Sequence, residues 1–168
     1  MSLTSLLLLA GAVISVAGQH NQTSRTNVGL TCDPPFYEVG GRCLLIDFDD
    51  FSTWEGMRAF CQSLGGDLVK IDSGDLFSAI VRYLHDNARP DFYYWIGATD
   101  AGHEGSWVWP DGSAVQMGTP FWANFGCDND QKPSGSDTEN CAILDPYLHL
   151  YFVDTTCEYD KGFAICEK

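Results

Sequence analysis

The chain has 168 residues, 45% hydrophobic and 13% aromatic with five Trp, which is enough apolar material for one domain core and too much for a disordered chain. Its formal charge of −14 excludes nucleic acid and anionic membranes as natural partners, since both repel it, and suits either extracellular calcium or plain solubility. Seven cysteines are an odd number, so at least one has no partner within the chain.

Residues 1–18 read as a secretory signal peptide: Leu6-Leu7-Leu8-Leu9-Ala10 open an apolar run that continues through Val16 and ends in the small residues around Ala17-Gly18. The n-region carries no Lys or Arg, and a retained anchor is the alternative; no later stretch is suited to span a bilayer. Residues 19–31 form a polar leader with a glycosylation sequon at Asn21-Gln22-Thr23. Secretion to an extracellular location places the cysteines in an oxidising compartment.

Alternating Phe36-Tyr37-Glu38-Val39 and the Gly40-Gly41 turn predict a hairpin between Cys32 and Cys43. Ser52, with Glu55 three residues on, predicts a capping box, followed by a helix whose face is Trp54, Met57, Phe60, Cys61 and Leu64 and which stops at Gly65-Gly66. A short strand is predicted over 68–71. Asp75 is the predicted cap of a second helix, with Leu76, Phe77, Ile80, Val81 and Leu84 facing inward and Pro90 beyond its end. Strands are predicted over 93–98, 107–109, 141–144, 150–154 and 162–166. The nearly apolar-free segment between Trp122 and Cys141 is a long loop of the kind that carries function. Two helices followed by short strands indicate an α+β domain.

Trp95-Ile96-Gly97-Ala98, Trp107-Val108-Trp109-Pro110-Asp111-Gly112-Ser113 and Phe121-Trp122 before the long loop, together with the cysteine spacing, resemble the C-type lectin domain over 32–168. The first motif ends in Ala where the family usually has Leu. Single secreted domains of this kind are similar to arthropod, and especially crustacean, immune lectins. The resemblance implies a C-type lectin-like fold with short antiparallel sheets, a long binding loop and three disulfides: Cys32–Cys43, Cys61–Cys166 and Cys141–Cys157. It leaves Cys127 in the loop as the odd cysteine, either bridging to a second copy in a homodimer or remaining free or capped by a small thiol.

The resemblance also implies where calcium and sugar would bind. At the primary site the family uses a tripeptide with a central proline, usually cis, flanked by acid or amide side chains, plus a Glu before the next cysteine and an Asn-Asp pair. Here those positions hold Lys132-Pro133-Ser134, Glu139 and Val153-Asp154. Calcium takes about six to eight oxygens, and an ammonium, a valine and a lone hydroxyl do not supply them, so calcium is disfavoured there. Three arrangements are open: Lys132 between Glu139 and Asp154 in place of the ion, Lys132 pointing outward toward anionic glycans, or an exposed lysine in a loop without function. At an auxiliary calcium site the matching residues are Asp100, Glu104, Glu139 and Asn140, with Asp137 near a further family ligand position.

The four histidines form no recognisable nucleophile or zinc motif and there is no phosphate-binding glycine loop, so an enzyme is not expected. The function implied is a carbohydrate-binding lectin recognising microbial glycans in innate immunity. The alternative is the same fold binding a protein partner independently of sugar. On a non-reducing gel the wild type is expected to run as a reducible dimer and Cys127→Ser as a monomer; a monomer in both lanes refutes the interchain bridge.

Overall fold

The computed structural model describes residues 30–87, 89–118, 120–125 and 130–168, with backbone alone at Phe125 and Asp130. The signal peptide, most of the leader, Asn21 and Cys127 lie outside the described residues.

The first hairpin joins β1 (Tyr37–Val39) to β2 (Arg42–Ile46). Gly40 and Gly41 both have positive φ, +60° and +81°, the requirement of a two-residue turn that follows the strands' twist. Helix α1 (Trp54–Ser63) is capped by Thr53, whose hydroxyl accepts from Gly56 N at 3.2 Å, not by Ser52 as the sequence suggested. Ser52 is used elsewhere: its carbonyl accepts from Trp95 Nε1 at 2.9 Å and its N–H donates to Gly162 O at 3.2 Å. Helix α2 (Gly74–Asp86) is capped by Ser73, which accepts from Leu76 N at 3.2 Å, and Asp75 lies inside the first turn, where its charge favours the helix dipole. Leu76, Ile80 and Leu84 are buried as the helical spacing requires.

The main sheet runs β1-β2-β9-β4-β7-β8, with β3 also pairing β9. Its remaining strands are β3 (Asp67–Leu68), β4 (Tyr93–Thr99), β7 (Cys141–Asp145), β8 (Tyr151–Thr155) and β9 (Gly162–Glu167). All pairings are antiparallel except β4 with β9. A separate short hairpin, β5 (Asn124–Phe125) with β6 (Asp130–Gln131), lies within the long loop.

Three strand expectations are corrected. The strand over 68–71 ends at Leu68, because Val69 bridges sideways, donating to Ile165 O and accepting from Gly97 N. Residues 107–109 form no strand; Val108 makes isolated bridges with Thr99 and Ala114. The strand predicted from 150 begins at Tyr151, because Leu150 has φ 64°.

Trp95 is fully buried and leaves no room opposite it: a Cβ on Gly162 would lie 2.5 Å from its Nε1. Gly97 is required for the same reason, since a Cβ there would lie 2.6 Å from the Pro110 ring and 2.8 Å from Leu68 O. The three disulfides are Cys32–Cys43, Cys61–Cys166 and Cys141–Cys157. The second joins α1 to β9 across 105 residues of chain. The α+β, C-type lectin-like expectation therefore holds for helices, sheet and disulfides alike. Replacing Cys61 and Cys166 by Ala is expected to lower stability by about 4–5 kcal/mol in urea denaturation, the chain-entropy value for a loop of this length.

Candidate functional site

The long loop returns to the sheet beside β8. Asp154 on β8 pairs with Ala142 on β7 and is 2% exposed. A carboxylate taken that far out of water needs a positive charge or several donors. Both are present. The peptide between Lys132 and Pro133 is cis, and Lys132 N donates to Ala123 O at 2.8 Å, which anchors the loop backbone. Lys132 Nζ then lies 2.9 Å from Asp154 Oδ1 and 3.9 Å from Glu139 Oε2. The approach to Oδ1 lacks hydrogen-bond geometry, so this contact is an ion pair.

Ser134 completes the arrangement. Its N–H donates to Asp154 Oδ2, and its Oγ is 2.7 Å from the same oxygen and 2.8 Å from Glu139 Oε2. A hydroxyl has one proton, so Oγ donates to one carboxylate at a time. In the sequence Ser134 is only a weak neutral oxygen, and no local signal marks this bridging role. Val153, at the position of an amide ligand, is 9% exposed and packs in the cluster containing Trp95 and Ile143.

Of the three arrangements open at Lys132, the geometry is therefore the inward one. The side chain is 15% exposed and directed at two carboxylates, not outward and not idle. Calcium does not fit here: an ammonium occupies its position and both Asp154 oxygens are engaged.

The auxiliary residues lie at the adjoining end of β4 and β7. Asn140 O accepts from Thr99 Oγ1 at 2.7 Å and from Asp100 N at 3.2 Å, which places Asp100 and Asn140 side by side. Asp100 is 3% exposed; its Oδ2 accepts from Gly105 N at 2.9 Å, while its Oδ1 has no partner. Asn140 Oδ1 is likewise buried and unpartnered, its Nδ2 reaching Asp137 O at 3.3 Å. Glu104 follows in the same turn. Desolvation, and then the carboxylates of Asp100, Asp137 and Asp154, push the Glu104 carboxyl above its ordinary range. Among the described residues no three His, Cys, Asp or Glu side chains converge tightly enough to hold a metal by themselves. The donor set nevertheless suits a hard cation, because two orphaned buried oxygens are costly without one and Asn140 adds a neutral ligand.

Comparison with known proteins bears on the family and the fold. Residues 51–168 match the family model described as Lectin C-type domain. Rat asialoglycoprotein receptor 2 is 32% identical over 83% of this chain and 43% of its own length. A solved SPL-1–GlcNAc complex has TM-score 0.66 at 26% identity, covering 84% of this chain and 97% of that one. A calcium-independent type II antifreeze protein has TM-score 0.62 at 23% identity over 82% of this chain and 94% of its own, a likeness of fold alone. The chain spans about half or less of the length of several curated relatives it matches. With its tryptophan motifs, its three disulfides and a loop that returns to β8 through a cis proline, this chain belongs to the C-type lectin domain family.

Proposed function

We propose that this protein is a secreted carbohydrate-binding lectin whose binding loop is held by an ammonium clasp and not by primary-site calcium. The observation that carries this reading is Lys132 Nζ at 2.9 Å from the buried Asp154. Lys132, Pro133, Ser134, Glu139 and Asp154 then form a preorganised loop wall, and a glycan meets that wall without completing an ion's coordination shell. With Lys132 turned inward, its charge is spent inside the protein, which favours neutral over anionic glycans. Family membership supports a binding module and not an enzyme.

In this reading Asp100, Glu104, Glu139 and Asn140 hold a structural calcium, in the weak range of about 0.1–1 mM found in extracellular modules. The ion would supply charge neutralisation for Asp100 and Glu104 and satisfy the orphaned oxygens. Glu139 is common to both regions, since its Oε2 meets Ser134 Oγ and lies 3.9 Å from Lys132 Nζ, while Thr99 fixes the Asn140 carbonyl. Recognition of microbial surfaces in innate immunity is the proposed setting, with weak single-site affinity raised by pairing through Cys127. A second reading, a protein-binding lectin-like domain, is favoured by the same loss of the primary ion.

Lys132→Met is expected to destabilise the fold by about 3 kcal/mol, because it strands a buried carboxylate, and adding Asp154→Asn should recover most of that. Denaturant titration of the cycle checks this, and an unchanged midpoint in Lys132→Met would mean the clasp holds nothing.

Glycan-array binding in calcium and in chelator, with melting curves in both buffers, tests the functional reading. Binding to neutral glycans should persist in chelator, while calcium should raise the melting temperature of the wild type and not of Asp100→Asn. Chelator-abolished sugar binding refutes the clasp reading, and absence of any glycan binding favours the protein-partner reading.

A further inference from the structure

A groove of about 490 Å³ runs beside β8, lined by Pro120, Trp122, Asn124, Tyr147, His149 and Tyr151 among others. Its size falls within the ~300–1,000 Å³ of ordinary ligand clefts. No lining side chain carries a formal charge, on a chain whose net charge is −14.

The walls are built by local backbone conformation. A 3₁₀ turn (Pro146–Leu148) follows β7 and leads into His149 and Leu150, two successive non-glycine residues with φ 57° and 64°. Asp145 closes the turn twice: its carbonyl accepts from Leu150 N at 2.8 Å and its Oδ1 from Tyr147 N at 2.7 Å. Leu150, 1% exposed, anchors the turn in the core and leaves Tyr147 outside at 82% exposure. Tyr151 packs on Phe77 with ring centroids 5.6 Å apart and still shows 37% of its surface. Trp122, which also lines the groove, is held by Trp107 at 4.9 Å and by its Nε1–H donating to Gln116 O at 3.2 Å. The opposite wall, Ala123 and Asn124, is continuous with the clasped loop: Ala123 O accepts from Lys132 N, and Asn124 Nδ2 donates to Gln131 Oε1 at 3.4 Å.

A pyranose has flat C–H faces and a rim of hydroxyls. Exposed tyrosine rings offer packing surfaces for the faces, and an imidazole and phenol hydroxyls offer hydrogen bonds to the rim. An uncharged lining on a strongly acidic protein matches an uncharged ligand. We propose that this groove is a metal-independent subsite for neutral pyranose glycans, with Tyr147 and Tyr151 as the stacking residues and His149 as a hydrogen-bonding one. The proposal rests on the glycan-binding reading above and assigns it a surface that neither the clasp nor the auxiliary cation residues supply.

The test is titration of the full chain, in chelator, with neutral hexasaccharides of glucose, mannose and N-acetylglucosamine, read by calorimetry and by amide chemical-shift changes. Tyr147→Ala should weaken binding about tenfold and Tyr147→Phe should stay within about threefold, as loss or retention of one aromatic packing surface requires. His149→Asn, which tolerates the left-handed backbone, should also weaken binding. The exposure of Tyr147 means that its variants should keep the wild-type melting temperature. Shift changes confined to the groove residues support the assignment. Glycan binding untouched by Tyr147→Ala and His149→Asn overturns the groove and leaves the lectin reading standing, whereas absence of binding to every glycan overturns both.

Discussion

Asp154 is a carboxylate that the sheet holds almost entirely away from water, and the long loop is organised around neutralising it. Lys132 meets one oxygen, Ser134 meets the other through both its N–H and its hydroxyl, and Glu139 shares the same serine. Other ion pairs, such as Arg42 with Asp72 or Lys70 with Asp111, have carboxylates that are a third or more exposed, and pairs of that kind contribute about 0–1 kcal/mol. The Lys132–Asp154 pair differs because removing either charge leaves the other buried.

The same electrostatic logic separates two neighbouring regions. Beside Lys132, two carboxylates share one ammonium, so the region is already compensated in part. Around Asp100 and Glu104, no described cation approaches within ion-pair distance, and two oxygens are buried without donors. The second region suits a divalent ion better than the first, where an ammonium already engages the carboxylates.

Around this polar seam the scaffold is rigid for packing reasons. Trp95 occupies the space that side chains at Gly162 would need, Pro110 does so against Gly97, and the Cys61–Cys166 bridge joins the first helix to the last strand. A rigid sheet lets irregular connections carry exposed chemistry. The turn that ends in His149 and Leu150 is such a connection, and it presents Tyr147 outward because Leu150 is sunk into the core.

The sequence by itself determined the family, the helix faces and the residue types available to the loop. Tryptophan motifs, cysteine spacing and apolar periodicity are local features that survive without knowledge of long-range contacts. It also identified Lys132 and Val153 as incompatible with a calcium shell, since an ammonium and a methyl group donate no lone pair. Where a backbone group was claimed from afar, local reading slipped: Ser52 lost its predicted capping role because Trp95 and Gly162 take its carbonyl and N–H. Over 107–109 the expected strand is reduced to isolated bridges of Val108 with Thr99 and Ala114. The direction of Lys132 depended on how deeply β8 buries Asp154, and the groove depended on two non-glycine residues adopting a left-handed backbone that no local signal encodes. Both were decided by tertiary structure, because burial and strain are set by what packs against a residue and not by the residue alone.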